Sequence, residues 1–119
     1  MGSTGSLTEH RVREELTALQ KWFVSHFQFE HFIDAIEEYV PDPTSAMVLE
    51  GFPDDGEYVI TFLVNGEHLV TMEIDQQLRK TPEVVNHRTI KPTNHGLKRQ
   101  DQIRLSIALA MNTEAGLWP

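Results

Sequence analysis

The chain has no cysteine. That excludes disulfides, thiolate metal sites and thiol nucleophiles, and it fits a reducing compartment, the cytoplasm. No apolar run reaches the length of a membrane span. The start, MGSTGSLTEH, lacks a basic segment followed by an apolar one, so it is not a signal peptide, and Met1–Gly5 has the character of a flexible leader. The seven glycines are scattered through leader, turns and tail, so no phosphate-cradling loop is present. There is no G-x-S-x-G elbow, no H-E-x-x-H pair, no internal repeat and no low-complexity segment.

Positive charge is missing from half of the chain. Between Trp22 and Leu78 lie twelve acidic residues and no Lys or Arg. Arg79 to Arg104 then carries seven basic residues against Glu83 and Asp101, and the first 21 residues balance three against three. The net charge is −8. Direct nucleic-acid binding by the main body is excluded on this ground, because a phosphate backbone requires a positive footprint.

What is present is enough for one domain. The 119 residues hold 39% hydrophobic residues, and a chain of this size buries roughly two-thirds of its extended surface. Residues 6–112 are expected to form a single α+β domain, followed by a tail over 113–119 in which Leu117 and Trp118 are the apolar residues.

The strongest structural signal is Glu57–Asp75, two β-rich runs around Asn65-Gly66. A two-residue turn there would mix apolar and polar side chains on both faces. A three-residue loop over Val64-Asn65-Gly66 segregates them: Tyr58, Ile60 and Phe62 share a face with His68, Val70 and Met72. That even-numbered face is expected to be the core face, with His68 as a structural residue at its rim. Ser45–Gly51 forms a preceding strand, Phe52–Gly56 a turn and Val84–Ile90 a fourth strand.

The helices flank this sheet. Ser6-Leu7-Thr8-Glu9 is a capping box, which starts a helix near Leu7. Val12, Leu16, Leu19, Phe23 and Phe27 form one stripe. Phe29, Phe32, Ile33, Ile36 and Val40 form a second, rotated by roughly 100° from the first. Residues 7–40 therefore make one helix burying two faces, or two helices with a break near Ser25–Gln28, which a second capping box favours. Pro41-Asp42-Pro43 ends the segment. Leu97–Asn112 alternates like a strand but is composed of helix formers, and the composition favours a helix capped near Thr93 or Asn94. The expected fold class is α+β, with N-terminal helices and a C-terminal helix packed on one face of a three- or four-stranded antiparallel sheet.

Three constellations carry possible chemistry. His31, Asp34 and Glu38 fall on one helix face, where an isolated helix supplies too few ligands for a metal; no metal and no cofactor is expected. Glu50, Glu73 and Asp75 near His87 contain the groups for acid–base work but follow no catalytic pattern, so no catalytic residue is assigned. The acidic surface is the third: Glu30, Asp34, Glu37, Glu38, Asp42, Asp54, Asp55 and Glu57. Ordinary surfaces mix charges of both signs. A block without bases suits a protein that offers carboxylates to a basic protein partner, as an inhibitor, an immunity or antitoxin-like protein, a nucleic-acid mimic or a chaperone-like escort would. Its basic C-terminal segment would otherwise pack against it. The alternative function is a small-ligand-binding protein or small enzyme with a pocket between helices and sheet, lined by Trp22, Phe23, Tyr58 and Phe62. Free sheet edges further imply a homodimer, through an edge or a face of the sheet.

Overall fold

The protein is seen here as a computed structural model that describes residues 3–77, 79–90 and 99–111, the side chains of residues 3–8 and 99–101 excepted. Alternating apolar positions build its centre. Strands β1 (Ala46–Asp54), β2 (Glu57–Val64), β3 (His68–Asp75) and β4 (Glu83–Thr89) form one antiparallel sheet in the order β1-β2-β3-β4. Helices α1 (Ser3–His26) and α2 (Glu30–Glu37) precede it, and α3 (Arg99–Met111) follows it. The α+β class holds, with helices packed on an antiparallel sheet.

The central hairpin has the segregated faces, in a register two residues from the expected one. Val64 pairs with His68, Phe62 with Val70 and Ile60 with Met72. The loop is therefore Asn65-Gly66-Glu67. Asn65 and Gly66 take φ of 56° and 66°, and the Glu67 N–H donates to the Val64 carbonyl at 3.0 Å. A shift of two preserves the faces, since side chains alternate with period two. Asn65 also selects this turn. Its Oδ1 accepts from the backbone N–H of Thr44 at 2.7 Å and of Ser45 at 3.2 Å, tying the hairpin tip to the segment entering β1.

Both faces of the sheet bury apolar side chains. On the even-numbered face, Ile60, Phe62, Val70 and Met72 are fully buried with Phe23, Phe32 and Ile36 of the first two helices. On the opposite face, Met47, Leu49 and Leu63 meet Leu16 of α1 and Leu105, Ile107, Ala108 and Met111 of α3. The helices thus divide between the two faces instead of sharing one. The cause is visible in β2, where Leu63 beside Phe62 makes the hairpin end apolar on both sides.

α1 joins the two clusters. It starts at Ser3, ahead of the expected capping box, and ends at His26, where the expected break falls. Leu16 enters one cluster and Phe23 the other. Between them Gln20, 7% exposed, meets the outer edge of β1. Its Nε2 donates to the Val48 carbonyl at 2.7 Å, and the Val48 N–H donates to its Oε1 at 2.7 Å. The side-chain amide stands in for a neighbouring strand. One residue on, at the bulge between Val48 and Glu50, Arg104 Nη2 donates to the Leu49 carbonyl at 2.8 Å. Nearby, Trp22 covers Gly51 so closely that a Cβ there would lie 2.7 Å from the ring.

β1 runs to Asp54, through the Phe52 and Pro53 expected in a turn. Proline is tolerated because β1 is an edge strand. α3 is helical from Arg99 to Met111, which resolves its ambiguity in favour of composition. Its expected cap at Thr93 or Asn94, the loop before it and the 113–119 tail lie outside the described residues.

Replacing Gln20 with Met keeps the volume but leaves the Val48 N–H and carbonyl buried without partners. Two such groups cost about 3 kcal/mol in total. Urea denaturation of Gln20→Met measures this loss, and Thr17→Ala, an exposed site on the same helix, serves as the near-neutral control.

Candidate functional site

α3 covers only the hairpin end of its face of the sheet. There Leu105 and Ile107 are buried, and Leu109 reaches within 3.6 Å of where a Gly66 Cβ would stand. No helix among the described residues covers the other half of that face. Register places Phe52 opposite Val59 and Glu50 opposite Thr61, with Glu73 between Val59 and Glu83. A second bulge between Thr71 and Met72 adds Val85 to this side, next to Asn86. Phe52 is 46% exposed and Val85 47%. Thr61 and Thr71 face each other with their hydroxyl oxygens 3.0 Å apart. The result is a broken apolar strip, exposed at Phe52 and Val85 and half-buried at Val59, with carboxylates beside it and, at Glu73, within it.

The carboxylates crowd. Asp54 pairs with Glu57 across β1 and β2, and Glu73 pairs with Glu83 across β3 and β4. Glu73 hydrogen-bonds to Glu57, and this bond, the Glu57 charge and the charges of Glu83 and Asp54 raise its pKa above the ordinary value. The fold thus gathers like charges at this end of the sheet, where each opposes the ionisation of Glu73. Asp75 stands apart. Arg79 donates from Nε to its Oδ2 at 2.8 Å and holds its pKa down at about 2.

The eight acidic residues singled out in the sequence do not form one surface. Asp54 and Glu57 belong to the sheet-end cluster, and Asp55 sits in the adjoining turn with φ of 51°. Glu30, Asp34 and Glu37 on α2 and Glu38 just after it lie exposed, and α2 packs on the opposite face. Asp42 is in the turn after α2, near Asn65. Glu50, Glu73 and Glu83 complete the sheet cluster and were not singled out as a surface. Period-two alternation placed Glu73 outside the core, but the bulge that aligns Glu50 has no sequence mark. Among the described residues, the basic segment meets the acidic block in one ion pair, Arg79 with Asp75; Arg104 pairs instead with Glu15 at 3.2 Å.

The remaining constellations are dispersed. His87 lies on the even-numbered face, with His68 Nδ1 at 3.1 Å from its Nε2 and Tyr39 against its ring. Glu50 and Glu73 are across the sheet from it, so they form no acid–base set. His31, Asp34 and Glu38 line an open groove with Lys80, and no group of three metal-ligating side chains occurs among the described residues. The aromatics proposed as a pocket lining fill their own space. Phe23 and Phe62 are fully buried and meet edge to face at 5.4 Å, while Trp22 meets Tyr58 at 5.5 Å. A cleft of about 230 Å³ does occur at the foot of α3, lined by Thr61, Thr71, Asn86, Arg88, Arg104 and Leu105 among others. No helix among the described residues is long and apolar enough to cross a membrane.

Comparison of the chain with known protein families, with curated proteins and with solved structures finds no match.

The raised pKa of Glu73 has a definite sign for stability. The folded state favours its protonated form, so ionisation opposes folding at neutral pH and the penalty fades as pH falls through the raised value. Glu73→Gln is expected to melt at a higher temperature than the parent at pH 7, with the difference closing toward pH 4. Thermal melts across that range test this, and Glu37→Gln on α2 should show no such convergence.

Proposed function

We propose that the protein is a non-enzymatic interaction module whose open sheet face binds a basic, amphipathic segment of a protein partner. One observation supports this above the others: exposed Phe52 and Val85 and half-buried Val59 form a broken apolar strip on the face that also carries Glu50, Asp54, Glu57, Glu73 and Glu83. Apolar side chains of a partner would remove the strip from water. Its Lys or Arg residues would meet carboxylates that repel one another in the free protein. Relief of that repulsion adds to the attraction, and the net charge of −8 steers a cationic partner from a distance. The same field disfavours nucleic acid and anionic membrane surfaces.

The functional class that follows is occupation of a basic surface on another protein, by inhibition, neutralisation or escort. α2 presents a second acidic surface on the other side of the sheet, but its exposed carboxylates surround no comparable apolar strip. It contributes to steering more than to contact.

A fluorescently labelled helical peptide of alternating Lys and Leu faces serves as the probe, with a Glu-for-Lys version as control. Binding of the basic peptide should weaken about tenfold or more between about 50 and about 300 mM salt. Glu73→Lys and Phe52→Ser should each weaken it about tenfold, whereas Glu37→Lys should change it less than about twofold. Affinity indifferent to salt, or an equal loss from the α2 substitution, would remove the basis for this assignment.

A further inference from the structure

The two edges of the sheet are treated differently. On β1 the bond from Asn65 N–H to Ser45 C=O, 2.9 Å, starts an alternation that turns the backbone of Val48 outward, where Gln20 meets it. On β4 the corresponding bond runs from Ile90 N–H to Glu67 C=O at 2.7 Å. The same alternation turns the N–H and C=O of His87 outward. Val85 and Asn86 both oppose Thr71 at the bulge, so the next outward position is Val84, opposite Met72. No helix or side chain among the described residues closes these groups as Gln20 closes β1.

We propose that β4 pairs antiparallel with β4 of a second copy, about a two-fold axis between Val85 and Asn86. Val84 of each copy then exchanges backbone hydrogen bonds with His87 of the other. The bulge sets this register. It spaces the outward positions Val84 and His87 three residues apart, and pairing Val84 of each copy with His87 of the other satisfies both at once. The side chains agree independently. Val84 and His87 share the even-numbered face, and Glu83 and Arg88 share the other, as directly opposed residues in a sheet must. Glu83 comes to lie opposite Arg88 of the second copy, twice by symmetry. In the single chain Glu83 sits beside Glu73, and Arg88 is exposed without an ion pair among the described residues. The pairing therefore joins an uncompensated carboxylate to an uncompensated guanidinium. It makes an eight-stranded sheet and leaves the strips around Phe52 of both copies on one side.

The absence of cysteine allows a register-specific test. Glu83→Cys and Arg88→Cys chains are made separately, mixed in equal amounts at about 100 µM and oxidised, a concentration suited to a small interface. The mixture is expected to give a disulfide-linked dimer and each chain alone is not, because like positions stand roughly 17 Å apart in this register. Cross-linking in neither case, or equally in all three, overturns the proposal. Sedimentation provides the second arm. Glu83→Arg and Arg88→Glu should each weaken self-association about tenfold, and the double exchange should restore it. A double variant as weak as the single ones, or a monomeric parent at this concentration, rejects the pairing.

Discussion

The hydrogen-bonded embrace of Val48 by Gln20 holds this structure in its particular form. A four-stranded meander has two free edges, and each edge offers unpaired N–H and C=O groups to any passing strand. One glutamine side chain carries a donor and an acceptor at the spacing of a peptide group, and α1 brings it to Val48, a residue of β1 that turns both backbone groups outward. Because Gln20 sits there, α1 must cross the strand edge. Leu16 then falls on one side of the sheet and Phe23 on the other. The same contact that closes the edge thus divides the helix between two hydrophobic clusters, and a single helix staples both faces.

What remains open follows from that arrangement. Edge β1 is closed by α1 and Arg104, the even-numbered face by α1 and α2, and the hairpin end of the other face by α3. The parts that no described residue covers are the β4 edge and the far half of the second face. They differ in chemistry. The edge offers backbone groups with one charge of each sign beside them, which suits a copy of itself. The face offers Phe52 and Val85 among carboxylates, the features from which a cationic partner is proposed. Their separation allows both to be occupied at once.

Much of this was legible from residues alone. The period-two pattern of Tyr58–Met72 identified the buried face, since burial depends on parity and parity survives a two-residue error in register. The rotation between two apolar stripes left one helix or two open, and the Ser25–Gln28 box favoured the break that falls at His26. Tertiary partners were not legible. Nothing in the sequence around Gln20 distinguishes an edge-closing amide from a solvated one. The two bulges, which align Glu50 and Val85 on the open face, cost no recognisable residue type. Phe52-Pro53 resembled a turn because proline usually leaves strands, and an edge position is the exception that admits it. The eight acidic residues were visible as a composition, but their distribution between α2 and the sheet end depends on which helix covers which face. The free edges expected from a small sheet are β1 and β4, and the hairpin strands lie between them with both sides paired.

The central claim is that one edge of the sheet is closed from within and the other is left for a second copy. Residue-resolved amide hydrogen exchange at two protein concentrations addresses it most directly. The Val48 amide should be protected at both concentrations, and the Val84 and His87 amides should be protected in the concentrated sample and exchange freely in the dilute one. Rapid exchange at Val48, or protection of Val84 and His87 that does not change with concentration, would contradict the account.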